Sequence, residues 1–503
     1  MDMSIAAATG LDPTTAVPMY QQIAEHLARQ IKSRALAPGT KLPPERQLAE
    51  LYRVSRTTAI NAYRRLEEDG LVRTRVGSGT YVAEGPAETA VPPMPWHQLL
   101  VPPLNNPLVG ILRELVAMDM AEGAISLATG MPDPALYPWP AFRDMLGGRQ
   151  LERTDLGYIG TEGYYPLREA LAARHSGQGA AARPENVAVV SGSQQGLYLL
   201  AKTLINPGDY VVVEAPTYLG ALQLFQAAGA RLLTLPAGGP LPLDLLEDYL
   251  VRYRPKLLYL LPTFQNPCGR IMPLAERQAL LALAARHRLA VIEDDPYGEL
   301  YYDQEPPTSL KALDEHGRVI YLGTFSKIVI PGLRIGWVAG PEAIIHRLSL
   351  EKQYIDLHSN NLAQWLLWRF MAGGLFAEHL EHIRGAYRRR RDAMAQALKR
   401  QLGDRLSYLV PGGGFYFWCR LADQRIDCRE LLTEAGRQGV NFVPGDAFYP
   451  DGDGLRDFRL CFATNDADGL QEGVRRLARA LTVVEKSRRT AAGKPTRSMA
   501  PLI

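Results

Sequence analysis

The stretch TFSKIVIPGLRIGW, residues 324–337, decides how most of the chain is interpreted. In it, Lys327 follows two hydroxyl residues and precedes Arg334 by seven positions. A free ammonium is costly to bury unless it pairs with an acid or loses its charge. One chemistry that needs a lysine here is a Schiff base with an aldehyde cofactor, whose phosphate would be bound by nearby hydroxyls and an arginine. The alternative is a surface lysine in a turn between a strand and a loop.

Three earlier stretches favour the cofactor interpretation. Residues 189–197, VVSGSQQGL, are typical of a strand, a small-residue turn and a helix, where backbone amides and the Ser193 hydroxyl would meet a phosphate. Residues 258–267, LYLLPTFQNP, end a strand near Asn266, whose side chain could hydrogen-bond a phenolic oxygen. Residues 290–297, AVIEDDPY, end another strand in carboxylates, and a carboxylate opposite a pyridine nitrogen keeps that ring protonated. Each motif is weak alone because α/β enzymes often place Asp and Asn after strands, but their order ahead of the lysine predicts a pyridoxal phosphate (PLP) site.

Together these motifs resemble the type-I PLP aminotransferases, most closely the kynurenine and 2-aminoadipate branch, from about residue 125 to about residue 480. The resemblance implies catalytic roles for three residues: Lys327 at the Schiff base, Asp294 at the pyridine nitrogen, and Tyr297 at the ring oxygen together with Asn266. The phosphate ligands that it implies are Ser193, Gln194, Thr324, Ser326 and Arg334.

The same resemblance gives roles to three residues outside these motifs. Tyr218, in EAPTY, would stack on the face of the cofactor ring. Tyr158, in GYIG, looks like the residue that reaches the phosphate of the neighbouring subunit. Arg459, in FRLCF, looks like the arginine that binds the α-carboxylate of a substrate or effector.

Length and composition set broad limits. A chain of 503 residues is too long for one core, and 47% apolar and 22% charged residues are ordinary for a soluble globular protein. The four cysteines lie far apart without a CxxC pair, which argues against a zinc ribbon or a disulfide framework and predicts no metal site. No signal peptide is evident and no apolar stretch approaches the ~20 residues that span a bilayer, so we expect a cytoplasmic protein without membrane attachment.

The N-terminal part is predicted to contain three helices and a hairpin. Apolar residues recur every three or four positions between 20 and 31, as in an amphipathic helix. LPPE at 42–45 begins a second helix, and Ser55 is a natural N-cap for a third over about 56–68. Residues 71–82 alternate and turn at glycines, as in a two-stranded hairpin. This order is that of a winged helix-turn-helix.

Basic and hydroxyl residues fall where such a domain contacts DNA. The first residues of the third helix enter the major groove in this class, and the hairpin lies beside it. The predicted DNA-binding residues are Arg46, Arg56, Thr57, Thr58, Arg73 and Arg75. The alternative is that Arg56, Arg64 and Arg65 form a solvated helix face.

This N-terminal segment resembles the GntR-family DNA-binding domain. The resemblance rests on LPPERQLA at 42–49, VSRTT at 54–58 and GLVRT at 70–74. One departure is Pro44, where the family commonly has serine, so a possible hydroxyl contact to phosphate is lost.

From about residue 125, strand-like and helical stretches alternate in an α/β pattern. This rhythm predicts a mostly parallel sheet with helices on both faces, followed by a small α+β domain from about residue 384. The predicted cofactor residues follow the ends of strands, where ligands bind in such sheets.

The predicted domain organisation has four parts. These are a winged helix-turn-helix DNA-binding domain at 17–83, a proline-rich linker at 84–107, an aminotransferase-like PLP domain at 108–483 and a disordered tail at 484–503.

This order of parts matches the MocR subfamily of GntR-family transcription regulators. The resemblance implies a bacterial homodimer that binds a double-stranded DNA operator and lies at the nucleoid when bound. It also implies that PLP itself or a small amino compound is the effector, sensed through the Schiff base. A working amino acid aminotransferase that carries a DNA-binding domain is the alternative, because sensing and transamination share that step. A third possibility is an inert, structural C-terminal module, against which the intact site residues speak.

Overall fold

The computed structural model describes residues 17–75, 78–83, 123–147, 157–175 and 183–492, together with the single residues 11, 15, 94 and 100. The chain divides into two compact units, residues 1–103 and 104–503. Each unit has its own buried apolar core.

The first unit has the predicted three helices and hairpin. Its elements are α1 (Met19–Lys32), α2 (Glu45–Tyr52), α3 (Arg56–Glu68), β1 (Val72–Arg75) and β2 (Gly79–Val82). The apolar face of α1 buries Ile23 and Leu27 against Leu48 of α2 and Leu66 of α3. The two strands pair antiparallel, and the hydrogen bond from the Thr74 amide to Glu67 of α3 (3.0 Å) fixes the hairpin against the third helix.

The second unit contains thirteen strands among the described residues. They are β3 (Ile125–Ser126), β4 (Val187–Val190), β5 (Tyr210–Ala215), β6 (Arg231–Pro236), β7 (Leu257–Leu260), β8 (Ala290–Asp295), β9 (Val319–Thr324), β10 (Gly336–Ala339), β11 (Leu406–Tyr408), β12 (Tyr416–Leu421), β13 (Val440–Asn441), β14 (Val443–Pro444) and β15 (Asp457–Cys461).

Its helices in the described ranges are α4 (Trp139–Gly147), α5 (Tyr165–Arg174), α6 (Ser193–Leu204), α7 (Leu219–Ala227), α8 (Leu243–Tyr253), α9 (Leu274–His287), α10 (Leu310–Leu313), α11 (Glu342–Gln353), α12 (Asn361–Ala372), α13 (Leu375–Gln401), α14 (Cys428–Arg437) and α15 (Ala467–Ala492).

The large sheet has seven strands in the order β4-β10-β9-β8-β7-β5-β6. The five strands from β9 to β6 are mutually parallel, and β10 runs antiparallel to both of its neighbours. Both faces are covered, because alternate residues of one strand enter different cores. Val211 and Val213 pack with α6 and α7, whereas Val212 packs with α8 and α9. The predicted α/β fold is confirmed.

A small four-stranded sheet, β11-β12-β15-β14, is antiparallel throughout. It packs through Phe417 and Leu460 against α13 and α15, and this core is continuous with the core on one face of the large sheet. The pair β13 and β3 joins the beginning of the unit to its small domain in parallel. Residues of both sheets can therefore reach one site.

The C-terminal boundary differs from the prediction. A disordered tail is expected from residue 484, yet α15 continues to Ala492. Val484 is buried, and Glu485 accepts a hydrogen bond from Arg405 Nε (3.0 Å), so packing holds this turn of the helix. The predicted linker at 84–107, except Met94 and Leu100, and residues 493–503 lie outside the described residues. Within the described ranges, no helix has the length and apolar composition needed to cross a bilayer.

Candidate cofactor pocket and DNA-binding surface

A cavity of about 490 Å³ lies at the carboxyl ends of β7, β8 and β9 and the start of α6. Ten of the predicted cofactor residues line it. They are Ser193, Gln194, Tyr218, Asn266, Asp294, Tyr297, Thr324, Ser326, Lys327 and Arg334. Arg459 of the small sheet lines the same cavity. The structure thus brings together residues that are far apart in the sequence.

Asp294 is the last but one residue of β8, and it is held on one side only. Its Oδ2 accepts a hydrogen bond from the hydroxyl of Tyr259 on β7 (2.6 Å), while its buried Oδ1 has no hydrogen-bond partner. Burial raises the pKa of Asp294 to about 7, and the bond from Tyr259 opposes that rise. A buried carboxylate oxygen without a donor is costly, so this atom is suited to a donor that arrives with a ligand.

Lys327 follows β9 and extends its amine across the cavity. Its Nζ donates a hydrogen bond to the carbonyl of Gly130 (2.8 Å). Burial, together with the nearby positive charges of Arg459 and Arg334, lowers the pKa of Lys327 to about 8. About one tenth of an amine with this pKa is neutral at pH 7 and can act as a nucleophile.

Backbone and hydroxyl donors collect at the first turn of α6. Gly192 has φ of 87°, and a Cβ there would lie 2.5 Å from Arg334 Nη2, so the turn needs a glycine to admit this arginine. The guanidinium of Arg334 donates to Ser326 Oγ and to the Ser191 carbonyl, both at 3.4 Å. The hydroxyl of Thr324 donates to Ser326 Oγ (3.1 Å). Helix amides, hydroxyls and an arginine form an anion-binding arrangement.

The remaining groups at the cavity hold one another in place. The Tyr218 hydroxyl donates to Gln194 Oε1 (3.1 Å), which fixes its ring over the cavity wall. Arg459 donates to Asn266 Oδ1 (2.9 Å) and to the Ala128 carbonyl (2.9 Å), while its buried Nε has no partner.

Tyr297 and Tyr416, which both line the cavity, are joined by a hydrogen bond. The Tyr297 hydroxyl donates to that of Tyr416 (2.9 Å), and the Tyr416 ring lies 4.0 Å from the Arg459 guanidinium carbon. This contact orients the guanidinium.

Tyr158 stands apart from these residues. It is 88% exposed and contacts the ring of His358, with centroids 5.5 Å apart, rather than lining the cavity of its own chain. Its predicted role at a neighbouring subunit stays a prediction. In the described part of the chain, no three His, Cys, Asp or Glu side chains are grouped so that they could hold a metal ion.

The first turn of α3 has the predicted cap. Ser55 Oγ accepts from the Thr58 amide (3.1 Å) and lies 2.8 Å from the Thr58 hydroxyl, so that hydroxyl is engaged locally. Thr57 is exposed, and Arg56 reaches back to Glu45 of α2 (3.1 Å) while most of its side chain remains exposed.

The other predicted DNA-binding residues are also at the surface. Arg46 pairs with Glu50 one turn along α2 (3.3 Å). Arg73 and Arg75 are exposed on β1, and the Arg75 guanidinium lies 5.5 Å from the ring centre of Tyr81.

Comparison with known proteins accounts for both units. Residues 118–477 match the family "Aminotransferase class I and II", and residues 19–82 match "Bacterial regulatory proteins, gntR family". The uncharacterized HTH-type transcriptional regulator YisV of Bacillus subtilis is 33% identical over 92% of this chain and 96% of its own length. The probable rhizopine catabolism regulatory protein MocR of Rhizobium meliloti is 30% identical over 95% and 96%. The chain belongs to the MocR subfamily of GntR-family transcription regulators.

A solved structure resembles the second unit of this MocR-type chain. The α-aminoadipate aminotransferase LysN of Thermus thermophilus, complexed with N-(5'-phosphopyridoxyl)-L-leucine, is 37% identical, with a TM-score of 0.70 over 78% of this chain and 99% of its own.

The cavity of this MocR-family chain fits PLP. The unpartnered Asp294 Oδ1 can accept a hydrogen bond from a pyridine N–H. The amides, hydroxyls and Arg334 at the start of α6 can donate to a phosphate. The Lys327 amine lies in the same cavity.

The sequence prediction missed two residues that line the cavity, Gly130 and Tyr416, and one that supports it from behind Asp294, Tyr259. Tyr259 and Tyr416 stand in apolar strands, where their patterns are those of ordinary core tyrosines. Gly130 carries the carbonyl bound by Lys327, and a Cβ there would lie 1.9 Å from the Tyr416 hydroxyl.

Proposed function

We propose that this chain is a PLP-dependent, DNA-binding transcription regulator that senses PLP or a small amino compound in the cavity of its aminotransferase-like unit. The observation that carries the proposal is the pairing, in one cavity, of a partly buried lysine amine with a buried carboxylate oxygen that lacks a donor. The same chain carries a GntR-type helix-turn-helix in which Arg46, Arg56, Arg73 and Arg75 are exposed.

Different cavity residues are assigned to different groups of the cofactor. PLP, when bound, supplies an aldehyde that condenses with amines and a ring that withdraws electrons. Asp294 keeps a proton at the ring nitrogen, since its free oxygen accepts that hydrogen bond. Arg334, Thr324 and Ser326, with Ser193 and Gln194 at the start of α6, bind the phosphate.

The effector end of the cavity is assigned to Arg459. Its guanidinium is held by Asn266 and by the Tyr416 ring, so it is preorganised for a carboxylate. Tyr297 and Asn266 hydrogen-bond the ring hydroxyl, and Tyr218 covers the ring face. An effector amine would compete with the Lys327 amine for the aldehyde that PLP supplies when bound.

The DNA-binding unit reads the operator through α3. Arg56 and Thr57 at its exposed first turn contact bases in the major groove, and Arg73 and Arg75 on β1 contact the backbone beside it. Arg46 and Thr58 support this surface from α2 and from the helix cap.

The regulator acts as a cytoplasmic homodimer. The exposed Tyr158 supports this assignment, because its side chain is free to reach the phosphate of a neighbouring subunit rather than its own cavity.

A working aminotransferase is the second candidate, favoured by the completeness of the cavity. The 2-aminoadipate transaminase of Thermus thermophilus is 40% identical over 77% of this chain and 98% of its own length. Release of an oxo acid when amino acids are added to the PLP-loaded protein distinguishes the two candidates.

Borohydride reduction tests the cofactor site. The purified protein should be yellow, and reduction should abolish the absorbance band while fixing the cofactor to Lys327, as peptide mass spectrometry would detect. Lys327→Ala should yield no such adduct, whereas Lys202→Ala, at an exposed lysine of α6, should behave as the wild type. A reduced adduct that persists in Lys327→Ala contradicts the assignment.

A further inference from the structure

The turn at the start of α6 donates two hydrogen bonds to a single carboxylate, that of Asp356. The Ser191 hydroxyl donates to Asp356 Oδ2 (3.0 Å), and Gln195 Nε2 donates to the same oxygen (2.8 Å). Gln195 Oε1 accepts from the Ser191 amide (2.7 Å), which closes a small ring of hydrogen bonds. The Ser191 carbonyl accepts from Arg334 Nη2. Asp356 therefore acts on the residues around the proposed phosphate site without lining the cavity itself.

The other oxygen of this carboxylate is bound to a buried cation. Lys352 is fully buried at the end of α11, and its Nζ donates to Asp356 Oδ1 (2.5 Å). Burial alone would raise the pKa of Asp356, but the bonds from Lys352, Gln195 and Ser191 outweigh it and hold that pKa below its ordinary value. A carboxylate with donors on both oxygens has a fixed position.

Asp356 also belongs to an exposed segment. Tyr354, Ile355 and Leu357 are exposed apolar side chains, and Leu357 has φ of 58°, which a leucine adopts only when its surroundings impose it. His358 in this segment contacts the exposed Tyr158. One carboxylate thus joins the turn before α6 to the surface segment 354–358.

We propose that Asp356 is a positioning residue that holds the Ser191–Gln195 turn ready for the cofactor phosphate and links phosphate binding to the order of the segment 354–358. The proposal rests on the PLP function assigned above. An anion at the start of α6 restrains Arg334 and the turn, and through Ser191 and Gln195 the restraint reaches Asp356. Because such coupling is reciprocal, loosening Asp356 weakens phosphate binding.

The test compares PLP with pyridoxal, which lacks only the phosphate. Dissociation constants are measured by absorbance titration for wild type, Asp356→Asn and Ser191→Ala. Ser191→Ala leaves the Lys352–Asp356 pair intact, so it tests the proposal even where Asp356→Asn folds poorly. In both variants the affinity for PLP should fall about tenfold, the usual effect of losing a group that orients a ligand-binding residue. The affinity for pyridoxal should not change. Glu351→Gln, which breaks the Arg347–Glu351 pair on the same helix, should change neither.

Hydrogen exchange supplies the second readout. PLP should slow amide exchange of the peptide covering 352–359 in wild type and Glu351→Gln, and not in the two variants. Equal weakening of PLP and pyridoxal, or PLP affinity equal to wild type, overturns the positioning role while leaving the cofactor assignment intact. Wild-type protein that binds neither compound overturns the cofactor assignment and this proposal with it.

Discussion

Two arginine–glutamate pairs show how differently the two units use charge. In the second unit, Arg277 and Glu293 are both fully buried, with Nη1 and Oε1 3.9 Å apart. In the first unit, Arg56 and Glu45 approach more closely, at 3.1 Å, yet the Arg56 side chain is 71% exposed. Because water screens the exposed pair, its short distance contributes little to stability.

The buried pair has a positioning task. Arg277 donates to the Pro262 carbonyl (3.0 Å) and to Thr263 Oγ1 (2.8 Å), so it fixes the chain just before Asn266. Glu293 accepts from the amides of Leu310 and Lys311 (2.9 and 2.7 Å) and precedes Asp294 on β8. The comparison teaches that the buried pair fixes backbone next to the cavity, whereas the exposed pair leaves Arg56 available to a partner.

The largest expected effect is on folding. Arg277→Met leaves Glu293 buried without its cation and removes the hydrogen bonds from the guanidinium to the Pro262 carbonyl and Thr263 Oγ1. The free energy of unfolding should therefore fall by about 3–5 kcal/mol. Urea denaturation measures it. Arg286→Met, which breaks the exposed pair with Glu247, should change it by less than about 1 kcal/mol. Equal losses for the two variants would remove the distinction between buried and exposed pairs.

The next effect depends on pH. The pKa of Asp294 is raised to about 7 in the folded protein, so the unfolded state loses this proton first and folding stability falls as pH rises from about 4 to about 7. Asp294→Asn lacks this penalty. Without cofactor, the free energy of unfolding of Asp294→Asn relative to that of wild type should therefore increase by about 2–3 kcal/mol as the pH rises from 5 to 8.

Chemical denaturation of the cofactor-free proteins across this pH range checks that gain. Asp144→Asn, at an exposed carboxylate of α4, controls for removal of a charge. Asp294→Asn and wild-type stabilities that run parallel with pH would show that Asp294 is not a strained buried acid.

A smaller effect is expected at the DNA-binding surface. Arg56→Ala should weaken specific operator binding by about 1–3 kcal/mol and relax the preference at one operator position, because a bidentate contact to a base is lost. Fluorescence anisotropy with an operator set varied one base pair at a time measures this. Arg29→Ala, at an exposed arginine of α1, is the control. Uniform weakening on every sequence would reassign Arg56 to the backbone.

The smallest effect is expected on the hairpin. Arg73→Ala removes one phosphate contact, so binding to all sequences should weaken similarly and the slope of log K against log salt should become shallower by about 0.9. Titrations at several salt concentrations measure the slope. An unchanged slope would place Arg73 away from the DNA.

The sequence predicted the elements whose patterns are local. Ser55 caps α3 as its hydroxyl suggests, and β4 spans Val187–Val190 as its apolar run indicates. The antiparallel direction of β10 could not be predicted, because an apolar strand between two others carries no signal of its direction. The tail prediction weighed basic composition above the apolar spacing of Leu477, Leu481 and Val484, which continues α15.

The candidate site divides in the same way. Lys327, Asp294 and Arg334 stand in motifs whose chemistry restricts the residue type, and they line one cavity. Tyr259 and Asp356 act through hydrogen bonds across 35 and 161 sequence positions, and nothing local distinguishes a supporting tyrosine or aspartate from any other. Their roles become visible only when the fold brings the partners together.

Effector-dependent operator binding tests the central claim most directly. The operator, mapped genome-wide with and without PLP, is titrated at fixed salt with PLP and candidate amino compounds. We expect wild type to change operator affinity by roughly 5- to 150-fold, and Lys327→Ala and Arg334→Ala to keep non-specific DNA affinity while losing that change. A wild-type protein that shows no shift with any ligand, yet releases oxo acids from amino acids, would contradict the regulator and favour the enzyme.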